Sequence, residues 1–475
     1  MGVEITKKDV TWSYVAKLFQ IGSGLVTLPL ILRLLTKEEV GMNYLMLTVS
    51  SIVGLMDFGF SPQFGRNFTY VNSGARRLCR EGVEEERGGS IDWHLLSVLI
   101  STARFVYRRL SVLALIVMLT FGTGYIWYLT EGFTNVNNSL YIWILYSFST
   151  YFNIYFSYYS SLLTGSGMIR ESSQAAILSK SAYLVLCTVF LLLGWGLFAV
   201  VAANFIAPFV QRYVSYRAYF KPELKARLAE QTVSREDIRE TFSVIWFNAK
   251  KLGINFIGAY AVNKMGMFII GFFLPLATIG SYGLLTQLTT IVTGIANTMF
   301  VTYLPKVSNC RVTGDRPMLK RTISFSMLVG QIIMVAGALG IIFVAPYLLE
   351  LIKSQTMLPS RLVCVLYLVV VALELNHSEF ASVISTENKI PYVVPSLVSG
   401  GVIVLLTFIA LKFTTLGLLG VVLVQGIVQA AYNNWRWPMW VFRELDMSIS
   451  EFYGTGFDSI LKTVSGLWKS MHRNA

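Results

Sequence analysis

Long apolar stretches recur along the chain and are separated by short polar segments. Each stretch has about 18 to 25 residues, the length that a helix needs to cross roughly 30 Å of hydrocarbon. The pattern therefore predicts an all-α, polytopic membrane protein with about twelve transmembrane helices. We expect these spans near residues 12–33, 41–63, 109–129, 140–163, 175–193, 196–216, 252–273, 280–303, 323–345, 362–384, 391–411 and 417–441.

The amino-acid composition agrees with this prediction. Of the 475 residues, 54% are hydrophobic and 14% are charged, and the mean hydropathy is +0.59. An ordinary soluble domain has about 25% charged residues, so the composition excludes a soluble enzyme. The four cysteines are scattered, without a CxxC pair or a histidine at metal-ligand spacing, so we predict neither a metal site nor a cofactor.

The distribution of basic residues predicts the orientation in the membrane. If the N-terminus is cytoplasmic, the cytoplasmic segments have 30 Lys and Arg residues and the opposite side has 5. By the positive-inside rule, both termini are then cytoplasmic. The net charge of +13 follows mainly from this topology and favours contact with anionic membrane lipids. No nucleic-acid partner is predicted, because the chain lacks a nucleic-acid-binding motif.

The two halves of the chain resemble each other at one place. A shift of 239 positions aligns VGMNYLMLTVSSIV from Val40 with IGSYGLLTQLTTIV from Ile279, so that Gly41 corresponds to Gly280. Six spans in each half give both halves the same orientation, which predicts two pseudo-symmetric six-helix lobes with a substrate path between them. We expect an N-terminal lobe at 1–220, a cytoplasmic linker at 221–240, a C-terminal lobe at 241–445 and a cytoplasmic tail at 446–475.

Polar residues inside the spans are candidates for substrate contacts. An ionisable residue at the centre of a span costs about 2.5–3.5 kcal/mol, so it usually faces a cavity or a partner. Lys264 lies midway along the seventh predicted span, which has no carboxylate of its own. Interfacial anchoring is an alternative for Lys17, Arg33 and Arg66. Further candidates for substrate binding are Lys17, Lys250, Lys251, Arg33, Arg66, Asn255 and Asn263.

The fourth predicted span is unusually rich in aromatic residues. Tyr151, Tyr155 and Tyr158 follow the spacing of one helix face, which predicts ring planes and hydroxyl groups available to sugars. Helix packing is the alternative explanation for these side chains.

The tenth predicted span contains a carboxylate next to an imidazole. Glu374 and His377 are three residues apart and hence neighbours on a helix surface. Such a pair can bind and release a proton near neutral pH, and the alternative is a static pair that fixes the helix to its neighbour. Glu379 and, in the second span, Asp57 are further candidates for ion coupling. Asp57 has structural alternatives, as a partner of Lys17, Lys250 or Lys251.

Two segments of the first half resemble the O-antigen flippase (Wzx-type) family of the multidrug/oligosaccharidyl-lipid/polysaccharide exporter superfamily. They are RLLTKEEVG, from Arg33 to Gly41, and MDFGFSPQFGRNFTYVNSGA, from Met56 to Ala75. YGLLTQL from Tyr282 and YLPKVS from Tyr303 extend the resemblance into the second half.

The resemblance implies a flippase that moves undecaprenyl-diphosphate-linked oligosaccharide across the bacterial cytoplasmic (inner) membrane by alternating access. It implies a V-shaped pair of lobes, coupling to H+ or Na+, and contacts with the polysaccharide polymerase machinery. One alternative is an exporter of the same fold with another cargo, either a lipid-linked peptidoglycan precursor or a drug. A cation exporter would need carboxylates where Lys264 lies. A membrane glycosyltransferase or polymerase is a further alternative, but no catalytic or Walker A motif is present, so we do not expect an enzyme.

Overall fold

The computed structural model of the protein describes residues 7–80, 90–387 and 391–473. These residues form helices and no strand, so the predicted all-α fold is confirmed. Eight of the described helical segments are long and apolar enough to cross a membrane, which makes the chain a multi-pass membrane protein. These segments are Lys37–Asp57, Trp93–Leu129, Ile169–Leu192, Leu197–Tyr219, Leu276–Arg311, Arg316–Leu351, Arg361–Ser385 and Val393–Phe413.

The chain forms two compact units. The first contains the described residues up to Ile257 and also Pro275–Gly280, and the second contains Gly258–Leu274 and the described residues from Ser281 onward. The lobes, linker and tail expected from the sequence stay predictions. The helices up to the unit boundary are α1 (Lys7–Leu34), α2 (Lys37–Gly54), α3 (Phe60–Asn72), α4 (Trp93–Val117), α5 (Thr123–Leu129), α6 (Ser139–Phe156), α7 (Tyr158–Gly165), α8 (Ile169–Leu192), α9 (Leu197–Tyr219), α10 (Pro222–Ala229) and α11 (Arg235–Asn263).

The helices that follow begin in the middle of the seventh predicted span. They are α12 (Met265–Ile270), α13 (Leu276–Thr313), α14 (Arg316–Leu339), α15 (Ala345–Leu351), α16 (Arg361–Ser385), α17 (Val393–Phe413), α18 (Leu418–Ala431), α19 (Asn433–Leu445) and α20 (Ile449–Arg473).

Three predicted spans contain a single non-helical residue between two helices. The helix breaks at Ser157 between α6 and α7, at Lys264 between α11 and α12, and at Tyr432 between α18 and α19. Irregular backbone at membrane depth is tolerated only where protein or water satisfies the freed polar groups. The three breaks therefore indicate positions that face other protein groups or a hydrated cavity.

The first unit has an aromatic core between α3, α4 and α7. Phe64, Phe68, Tyr107 and Leu162 are fully buried there. The chain reaches this core through a turn at Gly59, whose φ of 80° favours a residue without a side chain. Close contact between these large side chains stabilises the packing of the three helices, because van der Waals contacts favour helix association within a membrane.

The two turns that the internal repeat aligns lie against each other within the first unit. A methyl group on Gly41 would lie 2.0 Å from Leu276 O, and one on Gly280 would lie 3.1 Å from Lys37 O. The shift of 239 positions relates Lys37 to Leu276 and Gly41 to Gly280. The contact of Gly41 with Leu276 in one turn therefore corresponds to the contact of Gly280 with Lys37 in the other. Such reciprocity is what a local two-fold axis produces. The contact therefore supports the internal repeat.

We expect Gly41→Ala to lower thermal stability, because the added methyl group has no room beside the Leu276 carbonyl. Overpacking of this kind typically costs about 1–3 kcal/mol. The melting temperature of the purified protein measures the effect. Gly294→Ala on α13 is the matched control, since nothing lies within 4 Å of its added methyl group. Equal melting temperatures for the two variants would contradict the close contact.

A buried arginine joins three helix ends in the second unit. Arg311 donates hydrogen bonds to the carboxylates of Glu387 and Glu444 and to the Val383 carbonyl. The three groups belong to α19 and to the C-terminal end of α16 with the turn after it. Because the guanidinium is only 12% exposed, its removal would leave two carboxylates without their cation. The cluster thus fixes α13, α16 and α19 at one end.

Candidate functional site

Lys264 lies at the break between α11 and α12. Its backbone has φ −128° and ψ −27°, away from helical values, and its N–H donates to Tyr260 O at 2.8 Å. The side chain is exposed, and among the described residues it forms no ion pair. A lysine within a span is expected to face a hydrated cavity or a ligand rather than lipid. The position therefore suits an anion-binding group.

The other basic candidates lie nearer the helix ends. Arg33 is exposed in the last turn of α1, and Arg66 is exposed on α3. Lys250 is exposed on α11, with Nζ 5.5 Å from the centroid of the Phe247 ring. These positions fit interfacial anchoring as well as ligand contact. The side chains of Lys17, Lys251, Asn255 and Asn263 lie outside the described part of the structure.

Only two of the three predicted tyrosines share a face. The rings of Tyr151 and Tyr155 stack with centroids 6.0 Å apart and planes 15° apart. Tyr158 follows the break at Ser157, is 4% exposed and stacks on Tyr159 at 4.4 Å. The prediction of a continuous face is therefore wrong for Tyr158, because the helix break at Ser157 directs its side chain into the aromatic core of the first unit.

Asp57 accepts hydrogen bonds from two neutral donors. Tyr107 donates its hydroxyl to Asp57 Oδ1 at 2.6 Å, and the Ser61 backbone N–H donates to Oδ2 at 3.1 Å. The carboxylate thus supports the first turn of α3 and links it to α4. Lys250 forms no ion pair with Asp57, and the side chains of Lys17 and Lys251, the other expected partners, lie outside the described residues. The capping contact gives Asp57 a structural role, and its role in ion coupling stays a prediction.

Glu374 and His377 each have a partner of their own on the last helices. Gln425 Nε2 donates to Glu374 Oε1 at 2.9 Å, and His377 Nδ1 lies 2.8 Å from Asn434 Oδ1. No ion pair joins the two residues in the described part of the chain. Although Glu374 and His377 are adjacent on α16, they do not form a hydrogen-bonded pair through these atoms. Instead, Gln425 of α18 contacts Glu374 Oε1, and Asn434 of α19 contacts His377 Nδ1.

Amides also surround the break at Tyr432. Asn433 Nδ2 donates to Gln429 Oε1 at 2.8 Å and to Ser399 Oγ at 3.1 Å, and Trp437 Nε1 donates to Asn433 Oδ1 at 3.2 Å. These bonds connect α17, α18 and α19 where the helical ladder is interrupted. The interior of the second unit is thus polar around the middle of α16.

Glu379 is the carboxylate with an unsatisfied oxygen. It is 2% exposed, and its Oε1 has no hydrogen-bond partner among the described residues. A methyl group on Gly330 would lie 3.7 Å from this oxygen and 2.9 Å from Ala296 O. A buried carboxylate oxygen without a donor is a group that a proton or a small cation would satisfy. Glu379 therefore fits an ion-coupling role.

Lys180 lies within a candidate membrane span, although the hydropathy pattern does not identify it as an intramembrane cation. The apolar window near 175–193 places it at the edge of a span, whereas α8 begins at Ile169 and makes Lys180 its twelfth residue of 24. The side chain is half-buried, with Nζ 4.7 Å from the centroid of the Tyr183 ring. Glycines at 165 and 167 could have indicated the earlier helix start. In the described part of the chain, no group of three His, Cys, Asp or Glu residues is arranged to hold a metal ion.

Several solved structures share the fold of this chain, although no match was found by sequence. No described protein family matches the sequence, and no curated protein matches it either. An inward-facing multidrug resistance MATE family transporter of the MOP superfamily matches with a TM-score of 0.63 and 15% identity, over 93% of this chain and 99% of that chain. The lipid II flippase MurJ, in an inward closed conformation, matches with a TM-score of 0.63 and 13% identity, over 94% and 90% of the two chains.

An outward-facing MATE family transporter of the same superfamily matches less well, with a TM-score of 0.53 and 16% identity over 93% of this chain and 99% of that chain. At these identities the likeness concerns the arrangement of helices. By name, these neighbours are two transporters and a flippase. The chain therefore has the fold of the MATE family transporters and of the lipid II flippase MurJ.

Proposed function

We propose that this protein is a flippase that moves undecaprenyl-diphosphate-linked oligosaccharide across the bacterial inner membrane by alternating access. The cargo would be an O-antigen or another surface-polysaccharide repeat unit. The observation that carries the proposal is Lys264, an accessible cation at a helix break within a span, without an acidic partner among the described residues. The fold shared with MATE family transporters and MurJ supports a transport function.

The chemistry of this cargo fits the intramembrane cations. The polyprenyl tail can stay in the bilayer, while the diphosphate needs compensating positive charge and the sugars need polar or aromatic surfaces. Lys264 supplies such a charge in the second unit and Lys180 in the first. The stacked rings of Tyr151 and Tyr155 offer flat surfaces of the kind that bind sugars. From the basic segments we infer that both termini lie in the cytoplasm.

Ion coupling would use the carboxylates of α16. Gln425 donates a hydrogen bond to Glu374, and one oxygen of Glu379 has no partner in the described part of the chain. Either group can exchange a proton or Na+ as the protein changes conformation, and membrane carboxylates often serve this purpose. We further propose membrane lipids and the polysaccharide polymerase machinery as partners.

A drug exporter of the same fold is the second candidate. The half-buried Glu374 and the buried Glu379 favour it, because a cationic drug needs negative charge inside the protein. The accessible cations Lys180 and Lys264 favour an anionic cargo instead. A transport assay that offers the lipid-linked sugar and a cationic drug to the same purified protein separates the two.

Depletion of the protein in its bacterium tests the proposed cargo. Lipid-linked oligosaccharide should accumulate on the inner leaflet, and the wild-type gene should clear it. A variant with Lys264→Ala should be produced at the wild-type level and leave the lipid-linked sugar on the inner side. Accumulation of a lipid-linked peptidoglycan precursor instead would assign the other cargo.

A further inference from the structure

Helix α20 packs one side against α14 and exposes apolar residues on another side. On one side Phe452 and Ser459 are 1% and 5% exposed, and a methyl group on Gly456 would lie 2.8 Å from Leu328 Cδ2 of α14. On the other side an apolar stripe repeats every four residues and is between 41% and 66% exposed. The stripe consists of Ile449, Tyr453, Phe457 and Leu461.

The contacts of α20 place it level with the end of a membrane span. Lys320 Nζ donates to Glu451 Oε1 at 2.8 Å, and Arg321 Nε donates to Ser459 Oγ at 3.1 Å. The hydrogen bond from Lys320 also holds the pKa of the Glu451 carboxyl below its usual range. The predicted apolar span near 323–345 begins two residues after Arg321. Helix α20 therefore contacts α14 at the boundary between the polar N-terminal turns of α14 and its apolar, membrane-spanning part.

The remaining side of α20 is polar. At 100° per residue, Glu451, Asp458 and Lys462 lie opposite the apolar stripe, and all three are exposed. The sequence from residue 462 to 475 has three Lys or Arg residues and no acidic residue. A helix with an apolar stripe, a charged opposite face and a basic end is the kind that lies in the plane of a membrane interface.

We propose that α20 lies on the cytoplasmic surface of the bilayer, with the apolar stripe inserted at the boundary between head groups and acyl chains. The partner is the lipid bilayer itself, with anionic head groups beside the basic end of the helix. Two observations select lipid as the occupant. The helix is bonded to the end of a membrane span, and its apolar stripe and its charged residues are exposed on opposite sides of the helix, flanking the side that packs on α14. The contact anchors one end of the second unit to the membrane surface.

Spin labels on the full-length protein test this proposal. Cys79→Ser removes the exposed cysteine and leaves three buried ones, and single cysteines then replace Tyr453, Phe457 or Asp458. The labelled proteins are reconstituted in vesicles of phosphatidylethanolamine and phosphatidylglycerol. Collisions with oxygen, which concentrates in lipid, are compared with collisions with a water-soluble nickel chelate. Oxygen should dominate at 453 and 457, and nickel should dominate at 458.

Two results would overturn the proposal. Nickel dominance at 457 and 453 would place the stripe in water. Low collision with both reagents at these positions would show that protein covers the stripe, either a second copy or another chain. The label at 453 keeps the test decisive if a label at 457 disturbs the helix, because both residues belong to the same stripe.

Discussion

Lys264→Ala should reduce transport of a diphosphate-linked lipid by about tenfold or more, because a hydrogen bond to a charged group is worth about 1.5–3 kcal/mol. The side chain is accessible within a span and has no ion-pair partner among the described residues, so its charge is available to a ligand. Lys264→Arg should keep part of the activity, and Lys264→Glu should lose it, because the attraction depends on charge. Transport per molecule of inserted protein is the measurement.

Lys412→Ala is the matched control for Lys264. Lys412 is an exposed lysine in the last turn of α17, with Nζ 5.8 Å from the centroid of the Phe408 ring, a position that suits an interfacial anchor. Its removal should leave transport close to the wild-type rate. If Lys264→Ala also transports at the wild-type rate, the diphosphate contact does not involve this residue, and Lys180 becomes the stronger candidate.

Glu374→Gln should remove the dependence of transport on a proton or sodium gradient. Glutamine has nearly the shape of glutamate and can still accept the hydrogen bond from Gln425, so the helix contact is kept while the exchangeable charge is lost. Transport rates with and without each gradient are the measurement. Glu350→Gln, at the end of α15, is the control and should keep the dependence.

An unchanged gradient dependence in Glu374→Gln would show that Glu374 is structural. Glu379→Gln then tests the second carboxylate, whose Oε1 lacks a partner among the described residues. Dependence on sodium but not on pH would identify the coupling ion as Na+.

Hydropathy was sufficient to predict the all-helical fold and most of the spans, because apolar stretches of this length have few stable alternatives in a bilayer. It did not predict the breaks at Ser157, Lys264 and Tyr432. None of these residues is Gly or Pro, the usual signals of interruption. An average over about 19 residues also hides a single non-helical position. Tyr158 was placed wrongly for this reason.

The polar partners of α16 could not be predicted from helix spacing. Gln425 and Asn434 lie 51 and 57 residues from Glu374 and His377. Spacing within one helix identifies neighbours at three or four residues, but it contains no information about which distant helix packs beside them. The role of Lys264 stays a prediction, whereas its position at a helix break is a feature that only the structure adds.

The most direct measurement uses purified protein in vesicles with a fluorescent undecaprenyl-diphosphate-linked oligosaccharide. A membrane-impermeant reagent that destroys the label reports which leaflet contains the lipid, and a fluorescent cationic drug is assayed in parallel. The proposed function predicts gradient-dependent movement of the lipid-linked sugar, its loss in Lys264→Ala, and no transport of the drug. Transport of the cationic drug together with an immobile lipid-linked sugar would contradict it.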